Sequence, residues 1–124
     1  MEDRAHSKKK AVPTRAEVRV RLVARGPFFG PGTAQLLSSV RQSGSVYRAC
    51  EKLGLSYSKG RRMLRELEQE LGEPAVRCFK GGPTGGTARL TETGQLLLER
   101  YLCYEQTVRH YAEKQFDHYF PRGE

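Results

Sequence analysis

The chain has 124 residues, 37% of them apolar and 29% charged, with a formal net charge of +8 at pH 7. This length accommodates one domain and a tail, which excludes a large multidomain enzyme. No segment approaches the roughly 20 apolar residues of a membrane span, and no apolar stretch follows the charged N-terminus, so we expect a cytoplasmic protein with no secretory signal and no membrane partner.

The basic charge is concentrated in the middle of the chain. Residues 41–65 contain seven basic side chains and one acidic one, whereas residues 66–76 contain four acidic side chains and no basic one. A localised basic surface favours a polyanion as partner, and nucleic acid is the most common polyanion. A solvated basic protein without a specific partner is the alternative interpretation of the charge alone.

The N-terminal quarter contains a tail and then a predicted strand. Residues 1–15 lack periodicity and predict a disordered basic tail. Residues 17–24 alternate between apolar and polar side chains, which predicts a strand with one buried face. Glycine and proline then break the chain on either side of Phe28 and Phe29, and we expect these two rings at the edge of the core.

The period of the apolar residues next becomes helical and predicts three consecutive helices. The first extends from about Pro31 to Gln42, the second follows an N-cap at Ser45, and the third, about 15 residues long, follows an N-cap at Ser56. Each predicted helix is followed by a glycine suited to end it, in the order Gly44, Gly54 and Gly72.

A hairpin and a long helix complete the predicted order. Short strands at Ala75–Lys80 and Thr87–Leu90 flank a glycine-rich segment, and Thr91 is a suitable N-cap for a helix reaching about Phe120. We expect residues 96–98 of this helix to point inward. Farther along, apolar residues recur every three or four positions, which predicts a helix-pairing dimer interface. The residues of that predicted interface are Leu97, Tyr101, Tyr104, Val108 and Tyr111.

Two helices joined by a tight turn, the second opening on polar and basic residues, are typical of a helix-turn-helix motif. Ala49 is small enough for close helix approach, and Gly54 permits the turn. The predicted DNA contacts are Ser45 and Arg48 in the first helix and Ser56, Tyr57, Ser58, Lys59, Arg61, Arg62 and Arg65 in the second.

The two adjacent arginines of the second helix should have different roles. One helical turn does not aim both Arg61 and Arg62 at the same base, so we expect one at a base edge and the other at a phosphate. The alternative is that these cations only pair with neighbouring acids, because Arg62–Glu66 and Arg65–Glu68 have helix-neighbour spacing.

The glycine-rich hairpin is predicted to act as a wing. Its glycines allow close approach of the backbone to a duplex, and Lys80, Thr84 and Arg89 supply contacts to phosphate or the minor groove. A nucleotide-binding loop is the competing idea. Thr87 stands where such a loop requires lysine, and a strand rather than a helix follows, so we reject it.

Enzymatic and metal chemistry have little support in the sequence. The three cysteines contain no CxxC pair, which argues against a zinc finger, and their odd number argues against a disulfide framework. His110 and His118 are expected at the surface or an interface. No set of nucleophile, base and orienting group is recognisable, so we expect no enzyme, no metal and no cofactor.

The predicted fold class is mainly α with a small β component. It is a winged helix-turn-helix with an N-terminal strand and a long C-terminal dimerisation helix. The expected organisation is a tail over 1–15, the winged helix-turn-helix domain over 16–90, and the dimerisation helix over 91–120.

The segment from Phe29 to about Tyr101 resembles the N-terminal DNA-binding domain of ModE-type molybdate-responsive regulators, within the wider LysR-type group. The motifs that carry the resemblance are Phe29-Gly30-Pro31-Gly32, Gly44-Ser45-Val46, Leu55-Ser56-Tyr57, Gly72-Glu73-Pro74, the glycine-rich hairpin and Ala88-Arg89-Leu90-Thr91-Glu92-Thr93-Gly94. The resemblance implies a bacterial homodimer on a palindromic double-stranded DNA site, with residues 56–62 in the major groove.

The sequence departs from these families after the long helix. ModE-type regulators continue into molybdate-binding domains and LysR-type regulators into an effector domain, whereas this sequence ends at Glu124. We therefore expect no molybdate binding by this chain, and control by a partner protein or by dimer abundance. The leading hypothesis is a sequence-specific, dimeric transcription regulator. The alternative is a nonenzymatic adaptor that binds a partner protein through its last helix.

Overall fold

The computed structural model of the chain describes residues 10–81 and 86–122. The elements are, in chain order, β1 (Leu22–Val23), β2 (Pro27–Phe29), α1 (Pro31–Ser43), α2 (Val46–Leu53), α3 (Tyr57–Leu71), β3 (Val76–Phe79), β4 (Thr87–Leu90) and α4 (Glu92–Tyr119). The chain divides into two units, residues 19–106 and the terminal segments up to residue 18 and from residue 107. No helix in the described ranges has the length and hydrophobicity of a transmembrane segment.

The N-terminal strand is much shorter than the alternation predicted. Only Leu22 and Val23 pair, antiparallel with Pro27–Phe29. The partner strand has three residues and begins with a proline, which has no amide hydrogen to donate. The hydrogen-bonded pairing of the two strands therefore stays short. The predicted alternation of buried and exposed side chains is still observed here, because Leu22 is half-buried and Arg21 and Val23 are exposed.

The three predicted helices are confirmed, with ends within a residue or two of the expected ones. Each is followed by a glycine in the left-handed region, with φ of 71°, 71° and 79° at Gly44, Gly54 and Gly72. This backbone conformation is inexpensive for glycine and unfavourable for residues with a Cβ. The glycine positions therefore set the lengths of all three helices.

Helix α1 lies between two groups of buried side chains. Leu37 packs in the group that contains Phe29, Leu67 and Leu98, whereas Val40 packs in the group formed with α2 and the hairpin. The ring of Phe29 is buried and that of Phe28 half-buried, as expected for the edge of the core. Burying one large apolar side chain contributes about 1.5–3 kcal/mol. Because α1 contributes buried side chains to both groups, it links the elements packed on either side of it.

The base of the hairpin is tied to the helical part by hydrogen bonds. The amide of Ala88 in β4 donates to the carbonyl of Gly44 at 2.8 Å, and the amide of Thr91 donates to Ala75 at 2.9 Å. The Thr91 hydroxyl donates to the carbonyl of Pro74 at 2.8 Å and accepts from the amide of Gly94 at 3.0 Å. The prediction that Thr91 caps the last helix is thus confirmed.

Helix α4 buries a different set of residues from the one predicted. Leu98 is buried and Leu97 is half-buried, but Leu96 is 44% exposed, so the inward stretch does not include all of residues 96–98. A helix turns by about 100° per residue, which prevents three consecutive side chains from sharing one buried face.

Tyr101 was predicted at a dimer interface, and this is wrong, because its side chain is 3% exposed within its own chain. Its ring meets Phe29 edge-on with centroids 5.0 Å apart, and its hydroxyl donates to the carbonyl of Val20 at 2.8 Å. Burial, with a smaller contribution from the charge of Glu105, raises the pKa of Tyr101 above its ordinary value. The phenol therefore keeps the proton that it donates.

Candidate nucleic-acid interface

Helices α2 and α3 and the three residues between them form the predicted helix-turn-helix. Gly54 ends α2 with its amide directed at the carbonyls of Cys50 and Glu51. The amide of Leu55 donates to the carbonyl of Cys50 at 2.9 Å. These bonds satisfy carbonyls that a helix end would otherwise leave without partners, and they define a tight turn.

Serine caps begin both helices of the motif, as predicted. The side-chain oxygen of Ser45 accepts from the amide of Arg48 and that of Ser56 from the amide of Lys59, each at 3.1 Å. Both serines were also predicted as DNA contacts. Each cap hydroxyl still has a hydrogen to donate to a phosphate oxygen, so the two roles are compatible.

Close packing between the two helices depends on a residue that the sequence interpretation missed. A Cβ at Gly60 would clash with the Sγ atom of Cys50, which lies on α2. Both residues are buried. Ala49 was predicted to allow this approach and is buried, but Gly60 is the position where a Cβ would force the Sγ atom of Cys50 to move. A glycine inside an otherwise strong helical pattern is the signal that could have identified it.

Much of the rest of α3 is directed outward, although half-buried Met63, Leu64 and Leu71 still pack against the core. Of its fifteen residues, all of them described, the buried ones are Gly60 and Leu67. Arg61 is half-buried. The exposed predicted contacts are Ser56, Tyr57, Ser58, Lys59, Arg62 and Arg65, and in α2 Arg48 is exposed and Ser45 half-buried. The start of the helix therefore presents polar and basic groups to solvent.

No carboxylate of residues 10–81 and 86–122 forms an ion pair with these cations. In the parts of the chain that the structure describes, ion pairs join Arg15 with Glu17, Arg25 with Glu70 and Arg41 with Glu99. The alternative pairs Arg62–Glu66 and Arg65–Glu68 are not among them. The basic groups at the start of α3 are therefore available to an external anion.

Two tyrosines and an arginine form a cluster beside the turn. The rings of Tyr47 and Tyr57 have centroids 6.2 Å apart. The Nη1 atom of Arg61 donates to the hydroxyl of Tyr57 at 3.1 Å, and its Cζ atom lies 5.8 Å from the centroid of that ring. The cluster lines a groove of about 400 Å³ whose other wall is the hairpin, including Phe79 and Thr87.

The hairpin pairs β3 with β4 antiparallel, and both of its described predicted contacts, Lys80 and Arg89, are exposed. Thr84, the third, lies outside the described residues. Arg77 was missed by the sequence interpretation: it is directly opposite Arg89 in the register, and both side chains are exposed. Directly opposed like charges destabilise a hairpin slightly, and an anion bound between them would relieve this.

The other predicted residues of the last helix are more exposed than Tyr101. In the larger unit Leu97 is half-buried and Tyr104 is 57% exposed. In the smaller unit Val108 is half-buried and Tyr111 is 66% exposed. Large exposed aromatic side chains are enriched at protein–protein contacts.

The cysteines differ in environment. Cys50 is buried, and desolvation raises the pKa of its thiol, whereas Cys78 and Cys103 are exposed. Within residues 10–81 and 86–122, no three His, Cys, Asp or Glu side chains are grouped so that they could hold a metal ion.

Residues 33–95 match the model of a family described as bacterial regulatory helix-turn-helix protein, lysR family. The chain is also similar to the molybdenum-pterin-binding protein MopA of Rhodobacter capsulatus, with 35% identity over 60% of this chain and 28% of that protein. It is 32% identical to the DNA-binding transcriptional dual regulator ModE of Escherichia coli, over 60% of this chain and 28% of that protein.

Among solved structures, ArgP from Mycobacterium tuberculosis superposes with a TM-score of 0.49 at 23% identity, over 68% of this chain and 29% of that one. The matched region thus spans less than a third of each of these relatives.

Proposed function

The chain belongs to the LysR family of bacterial regulatory helix-turn-helix proteins, and we propose that it is a sequence-specific transcription regulator that binds double-stranded DNA as a homodimer in the bacterial cytoplasm. The resemblance to ModE-type and LysR-type DNA-binding domains drawn from the motifs is confirmed. The observation that carries the proposal is the outward face of α3, where basic side chains at the start of a capped helix form no ion pair with any residue that the structure describes.

The proposed binding mode uses α3 as the recognition helix. A major groove about 12 Å wide admits one helix, and the side chains that reach base edges come from its first turns. Ser58, Arg62 and Arg65 are exposed along that part of α3. The serine caps place helix N-termini, with their partial positive charge, where phosphates can approach.

The hairpin supplies contacts to the DNA backbone in this mode. Lys80 and Arg89 were predicted for that role, and we add Arg77 because it stands beside Arg89 on the same hairpin. Arg48 of α2 adds a fourth exposed cation. Phosphate contacts determine register and orientation on the duplex without reading its sequence.

Homodimerisation is proposed through the last helix, supported by exposed Tyr104 in the larger unit and exposed Tyr111 in the smaller one. A two-fold dimer reads a palindromic site whose half-sites are about 34–36 Å apart, one helical turn of the duplex. We propose no catalytic activity for this chain.

Selection of bound duplexes from a random pool tests the proposal. We expect a palindromic consensus and an affinity that falls steeply with salt, by about 0.9 log unit per tenfold increase in salt for each phosphate neutralised. The double variant Arg61→Ala/Arg62→Ala should lose preference for the selected site, whereas Lys80→Ala should weaken binding to all duplexes to a similar degree. Absence of any enriched sequence with the unmodified protein would contradict the proposal.

An adaptor that binds another protein through the last helix is the second candidate. The same exposed tyrosines favour it, because an unpaired aromatic surface suits a heterologous partner as well as a second copy. A stoichiometric complex with another protein that forms without DNA, together with no enriched duplex, would favour this function over the regulator.

A further inference from the structure

The two adjacent arginines of α3 have different surroundings. Arg61 is half-buried, with one guanidinium N–H donated to the Tyr57 hydroxyl at 3.1 Å and its Cζ atom 5.8 Å from the centroid of the same ring. Arg62 is exposed and forms no ion pair within the described residues. The guanidinium of Arg61 is thus restrained by Tyr57, whereas that of its neighbour is in solvent.

This difference matters because the two kinds of DNA contact have different geometric demands. An arginine that reads guanine must present two parallel N–H groups to the O6 and N7 atoms of one base. A phosphate presents several equivalent oxygens, and a mobile cation satisfies it in many orientations. An arginine whose plane is fixed before binding loses less conformational freedom when it makes the first kind of contact.

The position of Tyr57 is itself supported. Tyr57 is the first residue of α3, directly after the Ser56 cap. Its ring lies beside that of Tyr47, with centroids 6.2 Å apart. The tyrosine that contacts Arg61 is therefore in contact with both helices of the motif. The bond to Tyr57 uses one of the five guanidinium N–H groups and leaves others to donate to a base.

We infer that Arg61 is the arginine that reads a base, that Tyr57 is its positioning residue, and that Arg62 contacts a phosphate. The inference rests on the proposed function, since it specifies how the same interface discriminates between sequences. The base is identified by its chemistry as one with two adjacent acceptors in the major groove, which is guanine.

The closing experiment compares neighbouring single variants, Arg61→Ala and Arg62→Ala, in the full chain. Dissociation constants are measured for the duplex selected by the unmodified protein and for a scrambled duplex of the same composition, at several salt concentrations. We expect Arg61→Ala to lower the specific-to-scrambled affinity ratio at least about tenfold. Arg62→Ala should weaken both duplexes alike, change that ratio less than about twofold, and reduce the salt slope by about one.

The positioning role of Tyr57 has its own readout. Tyr57→Phe keeps the ring and removes only the hydroxyl. We expect it to lower the specific-to-scrambled affinity ratio about threefold when Arg61 is present, and to leave that ratio unchanged in the Arg61→Ala background. Replacing the recognised guanine by 7-deazaguanine removes the N7 acceptor. It should weaken the unmodified protein and have no effect on Arg61→Ala.

The outcomes separate the inference from the proposed function. If the unmodified protein prefers no duplex, the proposed function fails and the inference fails with it. If a preferred duplex exists but Arg62→Ala, rather than Arg61→Ala, abolishes the preference, the proposed function stands and this inference is overturned. A Tyr57→Phe effect of equal size with and without Arg61 would overturn the positioning role alone.

Discussion

The inward and outward faces of α3 are built on opposite requirements. The inward face includes Gly60, where a Cβ would clash with the Sγ atom of Cys50, and buried Leu67, and it is packed tightly against the rest of the core. The outward face includes Arg62 and Arg65, which are exposed and lie in none of the described ion pairs. Stability and the proposed DNA recognition therefore depend on different sides of one helix, and substitutions on each side should affect different measurements.

The largest effect should come from truncating the inward face. Leu67→Ala removes a buried side chain from the core group of Phe29 and Leu98, and we expect it to lower the free energy of unfolding by about 3 kcal/mol. Arg65→Ala, on the outward face two residues earlier, should change it by less than about 0.5 kcal/mol. Urea denaturation followed by circular dichroism measures both, and similar losses for the two variants would contradict the comparison.

A second test fills the space between the helices. Gly60→Val places a branched side chain against Cys50, and we expect a loss of about 2 kcal/mol in the free energy of unfolding. Gly32→Val is the matched control in α1, because a Cβ there meets no atom within 4 Å. Adding Cys50→Ala to Gly60→Val should recover part of the loss. If the control is as destabilised as Gly60→Val, the close approach is not the cause.

Loss of the cap at the start of α3 should have a smaller effect. Ser56→Ala removes the acceptor for the amide of Lys59, and we expect a cost of about 1 kcal/mol in thermal or urea unfolding. Ser58→Ala, an exposed position inside the same first turn, provides the comparison and should be nearly neutral. Equal costs for the two serines would show that the cap has no special role.

Thiol reactivity tests the tight packing of α2 against α3 without any substitution, because Cys50 of α2 is buried there and Cys78 of β3 is exposed. Burial raises the pKa of Cys50, so at pH 8 it has a smaller thiolate fraction than an ordinary thiol, and the thiolate is the reactive form. We expect iodoacetamide to modify Cys50 at least about tenfold more slowly than exposed Cys78 in the folded protein. Peptide mass spectrometry measures the two rates, which should become similar in denaturant and increase with pH.

The sequence predicted those parts of the fold that depend on local chemistry. Glycines in the left-handed region and the serine caps placed the helix ends, and the basic first turns of α3 indicated the interface. Residues whose roles depend on distant partners were missed or misplaced. Gly60 matters because of Cys50 on another helix, and Tyr101 is buried because Phe29 and Val20 come to it through the fold. The spacing of apolar residues on α4 predicts a buried face, but it does not show whether that face packs against a second chain or against the chain's own core.

The hydrogen bond from Ala88 to Gly44, with the contacts of Thr91 to Pro74 and Ala75, has a kinetic consequence. The base of the hairpin and the corner before α2 are already joined before any duplex arrives. In the DNA complex that we propose, binding would need no rearrangement to bring those two elements into register, and encounter would proceed at a rate set by diffusion, orientation and electrostatic attraction. Differences in affinity between operators would then be expressed mainly in how long each complex survives.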